Sequence, residues 1–289
     1  MFHNKVLAVE LSLPAFDPNR VDKGLSAEMA DQKSANREML AVRKRLLPKK
    51  QTADIHAHDV DTREWVESNT SPYAAGLRII DTRNLDHFMG VEEGVKGMRQ
   101  RIEEREELVR QWGDAYESAV EEAKTLLQDA FNAADYPPRA KAVARFKFVL
   151  ELHPISDGQH LFMTLAKETA EEIQRATEIR LKRAEQESRL DLIQKLATPL
   201  CKLASRVQFQ GEAREGVAKI WEEMRGLVER IPRMNVGDDP RIEELRVLLK
   251  EDILGKFTAD EVVEDTDARD KAKDAVRAIL EKMKGYAAE

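Results

Sequence analysis

The chain has 289 residues; 42% are hydrophobic, 35% charged and 6% aromatic, with 13 glycines and 10 prolines. That is too apolar for a disordered chain and too poor in glycine and proline for a collagenous or low-complexity one, and the length allows one large domain or two small ones. Lys and Arg number 47 against 54 Asp and Glu, a net charge of −7, which argues against a general nucleic-acid coat with its basic excess.

Val6 to Leu13 is apolar and stopped by Pro14, which predicts a strand. Residues 14–35 read as loop plus a short helix. Asn36 caps an expected helix running to Leu47, ended by Pro48, and a second helix is expected across 51–68. Leu77 to Ile80 reads as a short strand. From Val91 to Ala130, apolar positions recur at alternating steps of four and three, with Arg105 the only charge in the stripe. This predicts a helix of about 60 Å, forming a helical-hairpin or coiled-coil arm, with Gly94 and Gly97 suited to a close helical neighbour. Tyr136-Pro137-Pro138 ends it.

Arg145 to Leu152 alternates, with Phe146, Phe148, Leu150 and Leu152 on one face, as a half-buried strand does. Ser156-Asp157-Gly158 is an expected turn. A long helix is expected from near Leu161, with the polar stretch 180–189 in water or on a partner and a kink or break at Pro199. Further helices are expected over 212–231, 240–256 and 268–284, separated by a linker from Pro232 to Pro240 and by an acidic stretch from Thr258. The fold class is therefore mainly α with a small β-sheet (α+β). The chain divides into an α+β part with a long helical arm (1–155) and a helical region (156–289).

Charge is unevenly spread. Residues 1–50 hold ten basic and six acidic side chains, residues 91–135 six and twelve, and residues 238–270 five and twelve. Cys201 is the only cysteine, so no intramolecular disulfide forms and nothing requires an oxidising compartment. Its apolar surroundings (196–204) predict a buried, inert thiol. No stretch approaches the roughly 18 apolar residues of a membrane span, and the start of the chain lacks a signal-peptide core. These features point to the cytoplasm and to no membrane partner.

His56-Ala57-His58 has the spacing of a metal-ligand pair on a barrel strand. The flanking sequence reads as helix, however, where an i, i+2 pair diverges by about 200°. A polar helix is the better reading, and no metal is expected. Asp157, Gly158 and His160 read as a turn after a strand rather than a cleft. No phosphate loop, dinucleotide fingerprint, nucleophile elbow or Cys-x-x-Cys is present, so no catalytic or cofactor-binding residues are assigned and no enzyme is expected. The basic clusters Arg43, Lys44, Arg45, Lys49, Lys50 and Arg180, Lys182, Arg183 are the candidate contacts for a partner or for nucleic acid. Phe146 and Phe148 lie opposite Arg145 and Lys147 and so read as core rather than as a stacking platform for bases.

One set of features occurs in a familiar order. It comprises a leading strand, Arg43-Lys44-Arg45-Leu46-Leu47-Pro48, and Gly76-Leu77-Arg78. A long charged helix with Trp112 and Tyr116 follows, then Tyr136-Pro137, a Phe-x-Phe strand ending His153-Pro154, and Ile231-Pro232. The chain resembles a family of uncharacterised phage and mobile-element proteins encoded near MoxR-type AAA+ ATPases and von Willebrand A-domain, cobaltochelatase-like proteins. The resemblance carries no catalytic residues. It implies a phage or prophage origin, in a host cytoplasm, and a role beside a partner machine. The leading expectation is a non-enzymatic interaction protein that docks an AAA+ ATPase or itself. The alternatives are a single-stranded DNA-binding or recombination accessory and a structural virion protein.

Overall fold

The structure, a computed structural model, describes residues 5–73, 77–155, 167–206 and 214–288. It is 69% helical with a small antiparallel sheet, the mainly α, α+β class. The chain runs β1 (Val6–Ser12), β2 (Asn19–Asp22), α1 (Lys23–Gln32), β3 (Val42–Arg45), α2 (Ala53–Asn69), β4 (Ser71–Pro72), β5 (Arg78–Asp81), α3 (Leu85–Met89), α4 (Met98–Leu127), α5 (Arg139–Val143) and β6 (Val149–Pro154). The helices α6 (Lys167–Arg206), α7 (Arg214–Met234), α8 (Pro240–Leu248), α9 (Ala259–Glu264) and α10 (Thr266–Ala288) follow.

Two compact units form, one of residues 1–10, 66–86 and 152–289, the other of 11–65 and 87–151. Residues 1–10 and 66–86, grouped with 1–155 in the sequence reading, thus belong with the C-terminal helices.

The first unit holds β4, β5 and most of β1, and the sheet order is β4-β5-β1-β6. β1 pairs antiparallel with β5, Val6 opposite Asp81 and Val9 opposite Arg78. Its helices share one core. α7 contributes Val217, Ile220, Trp221, Met224 and Ile231, and α10 contributes Ala272, Val276, Ile279 and Met283. These are the faces that the helical period marks. α8 continues past Leu248 as a π-helical turn to Leu254, which keeps Leu249 and Ile253 fully buried. Thr258 and Glu261 form a capping box at the start of α9, within the stretch read only as acidic.

The second unit is built on an aromatic core in which Trp112 and Tyr116 of α4 meet Phe16 and Phe146. The Trp112 and Phe146 rings lie edge to face with centroids 4.7 Å apart. Phe146 is thus core, as its alternation indicated.

Several expectations are corrected. Residues 42–45 form a strand, not the end of a helix. β3 pairs antiparallel with β2, Asn19 opposite Arg45, and the Val42 N–H donates to Ser26 Oγ of α1 at 2.9 Å. The helix lies upstream, where Asp22 caps α1. Residues 91–97 are loop, and α4 starts at Met98. Gly90 and Gly94 both have φ +77°, and a Cβ on Gly97 would strike the Gly90 backbone. Their role is a tight turn rather than helix contact. α4 ends at Leu127, before the prolines, at Gln128 with φ +47°. Nor is α4 an arm, since its inward face packs on α5, α2 and the Leu46–Leu47 segment.

β6 starts at Val149 because Phe146 turns into the core and the Lys147 N–H is taken by the Pro14 carbonyl at 3.1 Å. α6 runs unbroken through Pro199, and α7 runs through Pro232 to Met234. Leu196, Leu200 and Leu203 are fully buried on both sides of Pro199, which offsets the lost hydrogen bond. Cys201 is exposed, not buried, because the apolar run turns Leu200 and Leu203 inward and Cys201 and Lys202 outward. Asp157, Gly158 and His160 lie outside the described residues.

Candidate functional site

The first basic cluster lies in the second unit. Strand alternation on β3 turns Lys44 inward and Arg43 and Arg45 outward. Lys44 is only 8% exposed. Its Nζ stands 2.7 Å from Asp22 Oδ2 and 2.9 Å from Asp135 Oδ2 and donates to the Ala130 carbonyl at 2.8 Å. Burial pushes its pKa down, but the two carboxylates outweigh that and hold it above the usual lysine value. The hydrogen bond from Lys44 in turn holds the Asp22 carboxyl below its ordinary range, helped by the Leu25 N–H.

Arg45 donates its Nε to the Leu47 carbonyl at 3.0 Å, and Lys50 pairs with Glu122 at 2.7 Å. Arg43 and Lys49 stay exposed. Within the cluster, carboxylates neutralise Lys44 and Lys50, whereas Arg43, Arg45 and Lys49 are exposed. A cavity of about 880 Å³ beside Lys44 is walled by charges of both signs, among them Arg20, Asp22, Lys23 and Asp135.

Lys44→Met should leave Asp22 and Asp135 facing each other without a cation, a loss of about 1–3 kcal/mol in stability at neutral pH. The Asp22 pKa is lowered in the folded state, so its contribution is present above the unfolded value near 3.8 and fades as pH falls below it. The Lys44 pKa is raised, so its contribution is present below 10.5 and is lost at higher pH. Denaturant titrations of both proteins should give a constant difference from about pH 5 to 9 that shrinks in acid. A difference unchanged at pH 3 contradicts this.

The second basic cluster lies in the first unit, on α6. Arg180, Lys182 and Arg183 are all exposed, and Arg183 pairs with Glu187 at 3.0 Å. From 172 to 183 no described side chain is buried, and Ile179 is 67% exposed. Burial resumes at Ala184 and Ser188, where α6 joins the core. The exposure expected of 180–189 thus holds at 180, 182, 183, 185 and 186, while Leu181, Glu187 and Arg189 are half-buried and Ala184 and Ser188 buried.

His56 and His58 lie on α2, the helical placement expected of them. His58 is tucked in, its Nε2 3.7 Å from Glu104 Oε2. Burial lowers its pKa, against the opposing pull of Asp59 and Glu104. No third ligand joins the pair at metal-binding spacing among the described residues.

The lone charge in the α4 stripe is accounted for by a partner that no spacing indicated. Arg105, 2% exposed, reaches Asp59 with Nε to Oδ1 at 2.6 Å and Nη2 to Oδ2 at 3.2 Å. It also donates to the carbonyls of Lys147 and Pro14 at 3.0 and 3.2 Å. Its neighbour Arg101 pairs with Asp61 and lies over the Trp65 ring at 5.1 Å. These arginines are structural braces. A charged residue inside an apolar helical stripe is the one sequence signal that pointed at Arg105, and none pointed at Arg101.

No protein-family model matches the chain, and no curated protein or solved structure matches it. No helix among the described residues is long and apolar enough to cross a membrane.

Proposed function

We propose that the protein is a non-enzymatic interaction or assembly protein, and that the stretch of α6 from 172 to 183 is its docking face. The observation that carries this reading is the run from 172 to 183. Three turns of helix hold no buried described side chain, and Ile179 is exposed beside Arg180, Lys182 and Arg183. Among the described side chains of this stretch only Thr177 and Leu181 are half-buried, so about 18 Å of helix presents mostly exposed side chains. An exposed apolar residue with Lys182 and Arg183 one helical turn ahead suits a protein surface carrying carboxylates. The resemblance to phage and mobile-element proteins directs the search for the partner to an AAA+ ATPase. A second copy of the chain is the alternative occupant. Single-stranded DNA is the weaker reading, because the carboxylates of Asp22, Asp135 and Glu122 neutralise Lys44 and Lys50.

The test is a photo-crosslinking amino acid placed at position 179 and, as a control, at exposed Glu229 of α7. In cells that express the neighbouring genes, position 179 should give one discrete adduct, identified by mass spectrometry as an ATPase subunit or this chain. Position 229 should give none. Equal yields at both positions, or no adduct, count against the reading.

A further inference from the structure

In the first unit, α6 and α10 leave a groove of about 480 Å³ between them. Its α6 side is Ile193, Ala197, Cys201 and Ala204, and its α10 side includes Leu280 and Met283. These four α6 residues follow one another at steps of four, four and three, so they share one face of the helix. The face runs for about 16 Å, enough for three turns of a third helix to lie along it.

The groove is edged by cations. Lys273, Arg277 and Lys284 line it, with Glu281 the one acid among its lining residues. Lys284 is held by Glu281 at 2.7 Å and Arg277 by Asp274 at 3.8 Å. Both are exposed pairs within one helix, which hold little energy and yield readily to a better partner. Lys273 has no carboxylate partner among the described residues. A cationic rim around an apolar floor stands out on a chain of net charge −7.

We propose that this groove docks an acidic amphipathic helix of a partner protein. Leucine-like side chains would seat over Ala197, Cys201 and Ala204, with carboxylates against Lys273, Arg277 and Lys284. The inference rests on the reading of the chain as an interaction protein and names the class of partner for a surface separate from 172–183. A failed crosslink at position 179 leaves it standing, and the reverse also holds.

Cys201 makes the test simple, because it is exposed, sits in the groove and is the only thiol. The rate of its reaction with a maleimide is measured on the full chain. The probe is a synthetic helix of about 16 residues with leucine on one face and glutamate elsewhere. A control peptide carries lysine in place of glutamate. At ten times its Kd the acidic peptide should slow the reaction about tenfold, and the lysine peptide should not slow it. The K273E/R277E/K284E variant, with helix content unchanged by circular dichroism, should lose the protection. Three results overturn the proposal: no slowing by either peptide, equal slowing by both, or a thiol already protected in the protein alone and released on dilution. The last would assign the groove to a second copy.

Discussion

Arg105→Ala should destabilise the second unit by about 3–5 kcal/mol, the usual cost of stranding one member of a buried ion pair. The guanidinium makes four hydrogen bonds, two to Asp59 and two to backbone carbonyls from separate loops. Removing it leaves a carboxylate that is 4% exposed with no cation, and two carbonyls with one donor fewer. Arg105→Lys should rescue little, because a single ammonium cannot reproduce the planar fork that spans Asp59, Lys147 and Pro14. Asp59→Asn should also destabilise, by leaving the cation buried. The double change Arg105→Met with Asp59→Leu should recover much of the loss, since an apolar pair of similar volume needs no desolvation. Urea titrations of the four variants, with hydrogen exchange followed in peptides from α2 and α4, check this. A loss under about 1 kcal/mol for Arg105→Ala would mean the pair is solvent-screened, as surface pairs are.

Trp221→Ala should cost the first unit about 3–5 kcal/mol. The indole is 2% exposed within the common core of α6, α7, α8 and α10, where Met224, Leu196 and Ile242 are fully buried and leave little room for collapse. Trp221→Phe should be far milder. The Trp221 Nε1–H is buried with no acceptor among the described residues, so replacing it removes an unsatisfied donor while keeping most of the ring. Denaturant midpoints separate the two substitutions. If Trp221→Phe proved as damaging as Trp221→Ala, the indole N–H would have a partner that the structure does not display.

What was legible in the sequence was the period of helices that pack one face on many neighbours. Ile242, Leu245, Leu249 and Ile253, and Ala272, Val276, Ile279 and Met283, all turn inward as their spacing indicates. Short elements whose partners lie far along the chain were not legible. β3 is four residues, three of them charged, and it is a strand because β2 pairs with it, not because of any pattern of its own. Arg105 and Asp59 are 46 residues apart and Lys44 and Ala130 are 86 apart, so no local spacing links them. The same distance hid the neutralisation of Lys44, which in sequence looked as free as Arg43. The prolines misled for a related reason. A local rule predicts a break at Pro199, but burial of three leucines around it keeps the helix whole. For the candidate site, exposure of the segment after 180 was legible from its polarity, whereas the reach of that exposure back to 172 depends on tertiary packing that no local pattern encodes.

The docking face on α6 is tested most directly by comparing adduct yield from position 179 in the native chain with that in an Arg180→Glu, Lys182→Glu, Arg183→Glu background. A contact beside these cations predicts a single strong adduct in the first and at least about a tenfold loss in the second, since adding like charges to an interface costs several kcal/mol. An adduct undiminished by charge reversal would contradict it, as would a yield at position 179 no higher than at Glu229.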